Sequence, residues 1–217
     1  VYKRQGSGKS TLVKLMNRFY DVSRGSIEIN GVDIRKYNLE SLRAQIGYVA
    51  QKAHMFKGSI QSNICFGKPE ASVEEMVHAA TVAQASDFIS TREHGYEDEI
   101  AEDGTNISGG QKQRLSIARV ILKKPSLYIY DDSFSALDFK TDATLRKALK
   151  PEVKNAIFFV VAQRISTIMD SDMIIVLDEG QIIGMGTHAQ LLKDCSVYQE
   201  IAHSQLTQKE LDDYERN

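Results

Sequence analysis

Three short segments carry residue types suited to chemistry on phosphate: Gly6-Ser7-Gly8-Lys9-Ser10-Thr11, Ser108-Gly109-Gly110-Gln111, and the pair Asp131-Asp132 that follows Tyr128-Ile129-Tyr130. Gly6 and Gly8 have no side chain to hold a polyphosphate off the backbone, Lys9 can reach terminal phosphates, and Ser10 offers a hydroxyl to Mg²⁺. The first glycine usual in such a loop falls at position 3, where Lys3 stands, so this segment alone also fits a chance glycine turn. Asp131 weighs against that alternative. A carboxylate closing an apolar strand, ahead of Ser133-Phe134-Ser135, is placed to hold Mg²⁺ through water, and its bland alternative is a solvated strand end. In this order the two segments predict nucleotide binding.

Such residues need elements to hold them. Leu12, Leu15, Met16 and Phe19 recur at helical spacing after the glycine turn, predicting a helix that starts near Lys9. Residues 26–34 alternate around Asn30-Gly31 and read as a hairpin, and residues 46–50 read as a short strand running into Gln51. From Ser59 to about Ser90 the pattern is helical, with Val73, Met76, Val77, Ala80 and Ala83 on one face, and a looser polar stretch leads to Ser108. Ser108 reads as the N-cap of a helix through Leu122 that ends before Pro125, and residues 127–130 as a buried strand delivering Asp131 and Asp132. A helix over about 142–149, a strand over 157–162, a hairpin around Asp178-Glu179-Gly180 and a terminal helix from His188 to about Ser204 complete the pattern. Strands alternating with helices predict an α/β core with a parallel sheet, and residues 59–90 a helical insert in it.

The bulk composition narrows the function classes. With 217 residues, 42% of them apolar, the chain is long enough for a sizeable core. Its 27 basic and 29 acidic residues are mixed along the chain for a net charge of -2, which argues against nucleic acid as a partner. Cys65 and Cys195 lack metal-ligand spacing and read as reduced thiols of a reducing compartment. No apolar run approaches the roughly 20 residues that cross a bilayer. The chain begins on Val1-Tyr2-Lys3-Arg4-Gln5, a poor end for a central strand, so residues 1–5 are expected to be a non-native junction on an N-terminally truncated domain. The polar tail from Gln208 is expected to fray.

With these residues in place, the chain resembles the nucleotide-binding domain of ATP-binding cassette transporters from Gly6 to about Gln205. Ser108 to Gln111 matches the family's signature motif, Gln51 its glutamine loop, Ser135-Ala136-Leu137-Asp138 its dimer-facing D-loop, and Ala162-Gln163-Arg164 the place of its switch histidine. The resemblance implies a P-loop NTPase (RecA-like) core over about 6–52 and 125–205, with an inserted helical subdomain over about 53–124 that carries the signature. It also implies ATP and Mg²⁺ as cofactors, Ser7 and Thr11 beside the other loop residues as ATP-binding, and Ser10, Gln51 and Asp131 at the metal. The signature would close over ATP held by a second cassette, using a helix N-terminus as the anion site. Residues 55–60, Asn63-Ile64 and Glu102 resemble exporters, which implies a transmembrane domain upstream and a place on the cytoplasmic face of the plasma membrane. Met55 and Phe56 fit either a face toward transmembrane helices or plain core packing.

Two departures bear on mechanism. Where active exporters carry Glu as the base or orienter of water, this chain has Asp132, one methylene shorter, and where they carry the switch histidine it has Gln163. A misplacement of about 1 Å can cost around 10²-fold in rate, and Gln can donate but cannot carry a proton charge. Ile107 stands where Leu is commoner, but the signature after it is whole. The expectation is the degenerate half of a heterodimeric exporter, whose own site turns over slowly while its signature serves a partner. The alternatives are an ATP-gated dimerisation clamp and a soluble cassette protein. The residue that stacks adenine would lie upstream of Val1, and substrate choice would belong to transmembrane segments outside this sequence.

Overall fold

The computed structural model describes residues 7–206, so Gly6, the junction expected at residues 1–5 and the polar tail from Gln208 lie outside the described residues. Two compact units are present: one holds the described residues up to Tyr20 and from Val160 onward, the other Asp21–Phe159.

In the first unit, α1 (Lys9–Met16) begins directly after Gly8, which takes φ 90°, a left-handed conformation that glycine adopts without Cβ strain. The expected helix is there, but its face is centred differently. Val13 is fully buried, while Phe19 is 46% exposed and lies past the helix end, where Asn17 donates from Nδ2 to the Val13 carbonyl at 2.9 Å.

In the second unit, β1 (Glu28–Ile29) and β2 (Val32–Asp33) form the expected antiparallel hairpin, with Asn30 and Gly31 both at positive φ as a two-residue turn requires. Next come α2 (Leu39–Ala44), capped by Asn38, and β3 (Ile46–Val49). β4 (Gly58–Ser59), α3 (Ile60–Cys65), α4 (Val73–Val82), α5 (Ser86–Ser90) and β5 (Glu99–Ile100) follow, with β4 and β5 paired antiparallel. Of the face expected for α4, Met76, Ala80 and Ala83 are buried, but Val73 and Val77 are 63% and 38% exposed. Ala79 and Val82 take their place, so the buried stripe is rotated from the expected one.

α6 (Gly109–Lys123) packs against α3 and α4 and supplies Leu115, Ile117, Ile121 and Leu122 to the core. It ends at Lys124, left-handed at φ 50°, just before Pro125. β6 (Leu127–Asp131) lies parallel to β3 in the register Ile46↔Leu127 through Val49↔Tyr130. α7 (Phe139–Glu152) is longer than expected because Asp138 caps it, accepting from the Thr141 amide at 2.9 Å. β7 (Ile157–Val161) enters beside β6, where the Ile157 amide donates to the Ser126 carbonyl at 3.0 Å and Phe158 packs edge-on to Tyr128 and Tyr130.

The first unit then resumes with α8 (Ile165–Ile168), β8 (Ile174–Asp178), β9 (Gln181–Gly186), α9 (His188–Asp194) and α10 (Ser196–Gln205). β8 and β9 form the expected hairpin. The terminal helix, expected to be continuous, breaks at Cys195, whose backbone is extended at φ -126° while its side chain joins a core of Ile174, Leu191, Tyr198 and Ala202. The architecture is mixed α/β with a parallel sheet, the fold class expected from the sequence.

Candidate functional site

β6 delivers Asp131 and Asp132 to the carboxyl end of the sheet, where both are buried, at 4% and 7% exposure. Parallel pairing with β3 brings Tyr48 alongside, and its hydroxyl donates to Asp131 Oδ2 at 3.3 Å. Burial, and then the Asp131 charge, push the Tyr48 phenol up to about 12, so it stays protonated as a donor. Gln51, one residue beyond Ala50 at the end of the same strand, donates from Nε2 to Asp132 Oδ2 at 3.0 Å. Two expected site residues, Gln51 and Asp132, are therefore in direct contact. Asp132 sits at φ 49° and turns the chain out of the sheet, and Ser135 closes the turn by donating from Oγ to the Asp132 carbonyl at 2.7 Å.

Ser108 caps α6 in a reciprocal box: its hydroxyl accepts from the Gln111 amide at 3.2 Å, while its own amide donates to Gln111 Oε1 at 2.9 Å. This is why a Ser and a Gln three apart open the helix, with two glycines between them that add no side-chain bulk. A Cβ on Gly109 would meet nothing within 4 Å, and one on Gly110 would lie 3.4 Å from the Ala136 carbonyl oxygen. The helix N-terminus thus lies beside the segment that leads to Asp138. Thr141 donates from its amide and hydroxyl to Asp138, which holds that carboxyl below the usual range and keeps it ionised.

In the first unit, Ser7 is buried and Lys9 Nζ donates to its hydroxyl. Ser10 and Thr11 are exposed in the first turn of α1. A Cβ on Gly8 would stand 3.5 Å from Gly180 Cα in the turn between β8 and β9. Gln163 is exposed, and its carbonyl is fixed by Gln205, whose Nε2 donates to it at 2.9 Å while its Oε1 accepts from the Ile165 amide at 2.8 Å. Lys9 and Gln163 line one small cavity of about 80 Å³ with Ile165, Val176 and Tyr198.

Sequence reasoning missed Tyr48, Gln113, Arg114 and Arg119. Arg114 Nη1 donates to the Gln84 carbonyl at 2.8 Å and the guanidinium lies 5.0 Å over the Phe88 ring, with burial lowering its pKa. Arg119 donates to the Asn63 carbonyl at 2.8 Å beneath the stacked rings of Phe56 and Phe66, and burial lowers it to about 10. For the three on α6, the one local signal is a charged or amide side chain within the apolar pattern of a strong helix. Met55 is buried at 3% exposure and Phe56 is 47% exposed, so core packing holds for the first and a surface position for the second.

A glycine-opened helix, buried carboxylates at a parallel strand end and a doubly capped helix starting Ser-Gly-Gly-Gln define a P-loop class of nucleotide-binding domain. The chain belongs to the ABC transporter family, whose model matches residues 4–135. It is 47% identical over 196 residues to the putative multidrug export ATP-binding/permease protein YgaD of Bacillus subtilis, a match covering 90% of this chain and 34% of that protein. It is 45% identical over 203 residues to the uncharacterized ABC transporter ATP-binding protein Rv1273c of Mycobacterium tuberculosis, covering 92% of this chain and 34% of the relative. A bacterial Atm1-family ABC exporter with ATP bound superposes with a TM-score of 0.90 at 39% identity, covering 92% of this chain and 35% of that one. The chain thus spans about a third of the length of the relatives it matches.

Proposed function

We propose that this chain is the ATP-binding domain of an ABC exporter and the slow-turnover half of a heterodimeric pair. It would couple ATP binding and hydrolysis at a dimer interface to substrate export, from the cytoplasmic face of the plasma membrane and below a transmembrane domain of the same native chain. The observation that carries the reading is an asymmetry within one chain: the capped Ser108–Gln111 helix start is whole, while Asp132 and Gln163 replace the expected Glu and His. A domain free of function would be expected to lose both features alike.

ATP would lie along Gly6, Ser7, Gly8, Lys9, Ser10 and Thr11, and the α1 amides and Lys9 would neutralise its phosphates. The donor types present suit Mg²⁺: a Ser10 hydroxyl, the Asp131 carboxylate, and the Gln51 amide, whose Nε2 is engaged by Asp132 so that Oε1 is the atom offered to a cation. These residues would hold the ion, and bound Mg²⁺ supplies charge neutralisation on the phosphates. Asp132 would bind water but hold it short of the in-line position, and Gln163 would donate to the γ-phosphate without a proton to give. Ser108 to Gln111 would close on ATP of the partner cassette, with Asp138 facing the same interface. Phe56, exposed and backed by Phe66 and Arg119, would meet the transmembrane domain. The core lobe would comprise about 6–52 and 125–205, and the helical lobe about 53–124.

The test is the double substitution Asp132→Glu with Gln163→His in the assembled transporter. This reading predicts a rise of about 10-fold or more in hydrolysis at this site, on the scale of a corrected misplacement of about 1 Å. No gain in site-resolved hydrolysis would sink it, and tight retention of unhydrolysed ATP in both variant and parent would favour an ATP-gated clamp.

A further inference from the structure

Gln113 is a primary amide sealed inside the second unit at 1% exposure, and its Nε2 donates to the carbonyl oxygen of Ala50 at 3.1 Å. A buried amide is costly unless bonded, so this contact fixes the rotamer rather than decorating it. Ala50 follows β3 directly, and the next residue is Gln51, whose side chain reaches Asp132 at 3.0 Å. One continuous path therefore runs from α6 through the Ala50 backbone and Gln51 to the strand-end carboxylate.

The rest of α6 is fixed to the same strand. Lys123 Nζ donates to the Ile46 carbonyl at 2.7 Å, and Gly47 lies so close to the helix that a Cβ there would stand 2.5 Å from Val120 Cγ1. From Val120 back to Gln113 the helix covers about 10.5 Å at ~1.5 Å per residue, and from Gly47 to Ala50 the strand advances about 10 Å at ~3.3 Å per residue. The two lengths agree, so helix and strand run antiparallel with matched spacing and are tied at three levels. The N-terminal end of the helix is thereby held against residue 50. Ser108 to Gln111 stand at that N-terminus, and Gln51 stands at the strand's end.

We propose that Gln113 is a positioning residue that holds Gln51 in place through the Ala50 carbonyl and so sets how tightly this chain's own site takes Mg²⁺. The proposal rests on the reading of Gln51 as an Mg²⁺ ligand. Gln113 touches neither nucleotide; it acts through the Ala50 carbonyl.

The experiment uses the full-length transporter, assembled with its partner in lipid, and reads the Mg²⁺ concentration that half-saturates ATP retention on this chain. ATP affinity in EDTA and the thermal midpoint are read in parallel. Gln113→Met keeps side-chain length and removes the donor. The half-saturating Mg²⁺ concentration is expected to rise about three- to tenfold, the scale of one net hydrogen bond. Affinity in EDTA and thermal midpoint are expected to stay at their parent values. Gln51→Ala is expected to raise the Mg²⁺ requirement as well, and Gln51→Ala with Gln113→Met to go no further than Gln51→Ala alone, because both act on one path.

An unchanged Mg²⁺ requirement in Gln113→Met, beside a raised one in Gln51→Ala, overturns the proposal and leaves the site reading standing. No effect of Gln51→Ala overturns the site reading, and the proposal with it. Should Gln113→Met lower the thermal midpoint, Gln113→Asn, which withdraws the amide by one methylene, replaces it under the same two criteria.

Discussion

Asp132 lies in the left-handed region at φ 49°, where a short Asp side chain that can bond locally is better tolerated than most. Its place at a strand end, like that of Gln51, was legible in local apolar runs, while the roles of both came from the family resemblance. Tyr48 and Gln113 were not legible, because a hydrogen bond between residues remote in the chain leaves no local periodicity. Tyr130 makes the same point in reverse: it is fully buried and, among the described residues, its hydroxyl has no hydrogen-bond partner. A buried unpaired hydroxyl costs about 1–3 kcal/mol, so Tyr130→Phe is expected to hold or raise the thermal midpoint, and a marked fall would contradict the assignment. His188 is buried with Nδ1 2.7 Å from Tyr198 Oη, and burial lowers its pKa against the opposing charge of Asp170. The unfolded chain then takes up protons more readily than the folded one below about pH 6.5, so the His188 contribution is present above that pH and lost as pH falls. The urea midpoint is expected to drop between about pH 7.5 and 5.5, and His188→Gln to flatten that slope.

At the scale of elements, α6 was legible at both ends because Ser108 with Gln111 caps one and Pro125 follows the other. The Asn30-Gly31 hairpin was legible because few residues tolerate two successive positive φ angles. The two-residue β4–β5 bridge carries too few residues for any period to register, and the break at Cys195 is made by tertiary packing that draws one side chain into the core. The rotated stripe of α4 has a similar cause, since α6 and not the local pattern decides which apolar residues are covered. The α6–β3 pairing makes its own prediction. Gly47→Ala would place a Cβ 2.5 Å from Val120 Cγ1 and 2.6 Å from Pro125 Cγ, both on stiff side chains. Overpacking of this kind costs about 1–3 kcal/mol, read as a fall in the denaturant midpoint at constant slope. Ser108→Ala removes the cap of α6 and is expected to cost about 1 kcal/mol, whereas Ser108→Gly should cost only a few tenths. Equal costs would argue against the capping box.

At the scale of the whole molecule, Met173, just before β8, and Ile182 and Met185 on β9 are 60%, 62% and 61% exposed. Exposed apolar side chains of this size favour self-association of the isolated chain. Ile182→Lys with Met185→Lys is expected to raise the monomer fraction by light scattering, and unchanged scattering would place the sticky surface elsewhere. Phe56, stacked on Phe66 at 4.3 Å, is another exposed apolar group. In the proposed heterodimer the two cassettes would divide the labour. The assembled transporter is turned over with labelled Mg·ATP and trapped, and the nucleotide held by each subunit is identified. Mostly unhydrolysed ATP on this chain and ADP on its partner are expected; equal ADP on both would rule out a slow-turnover site here.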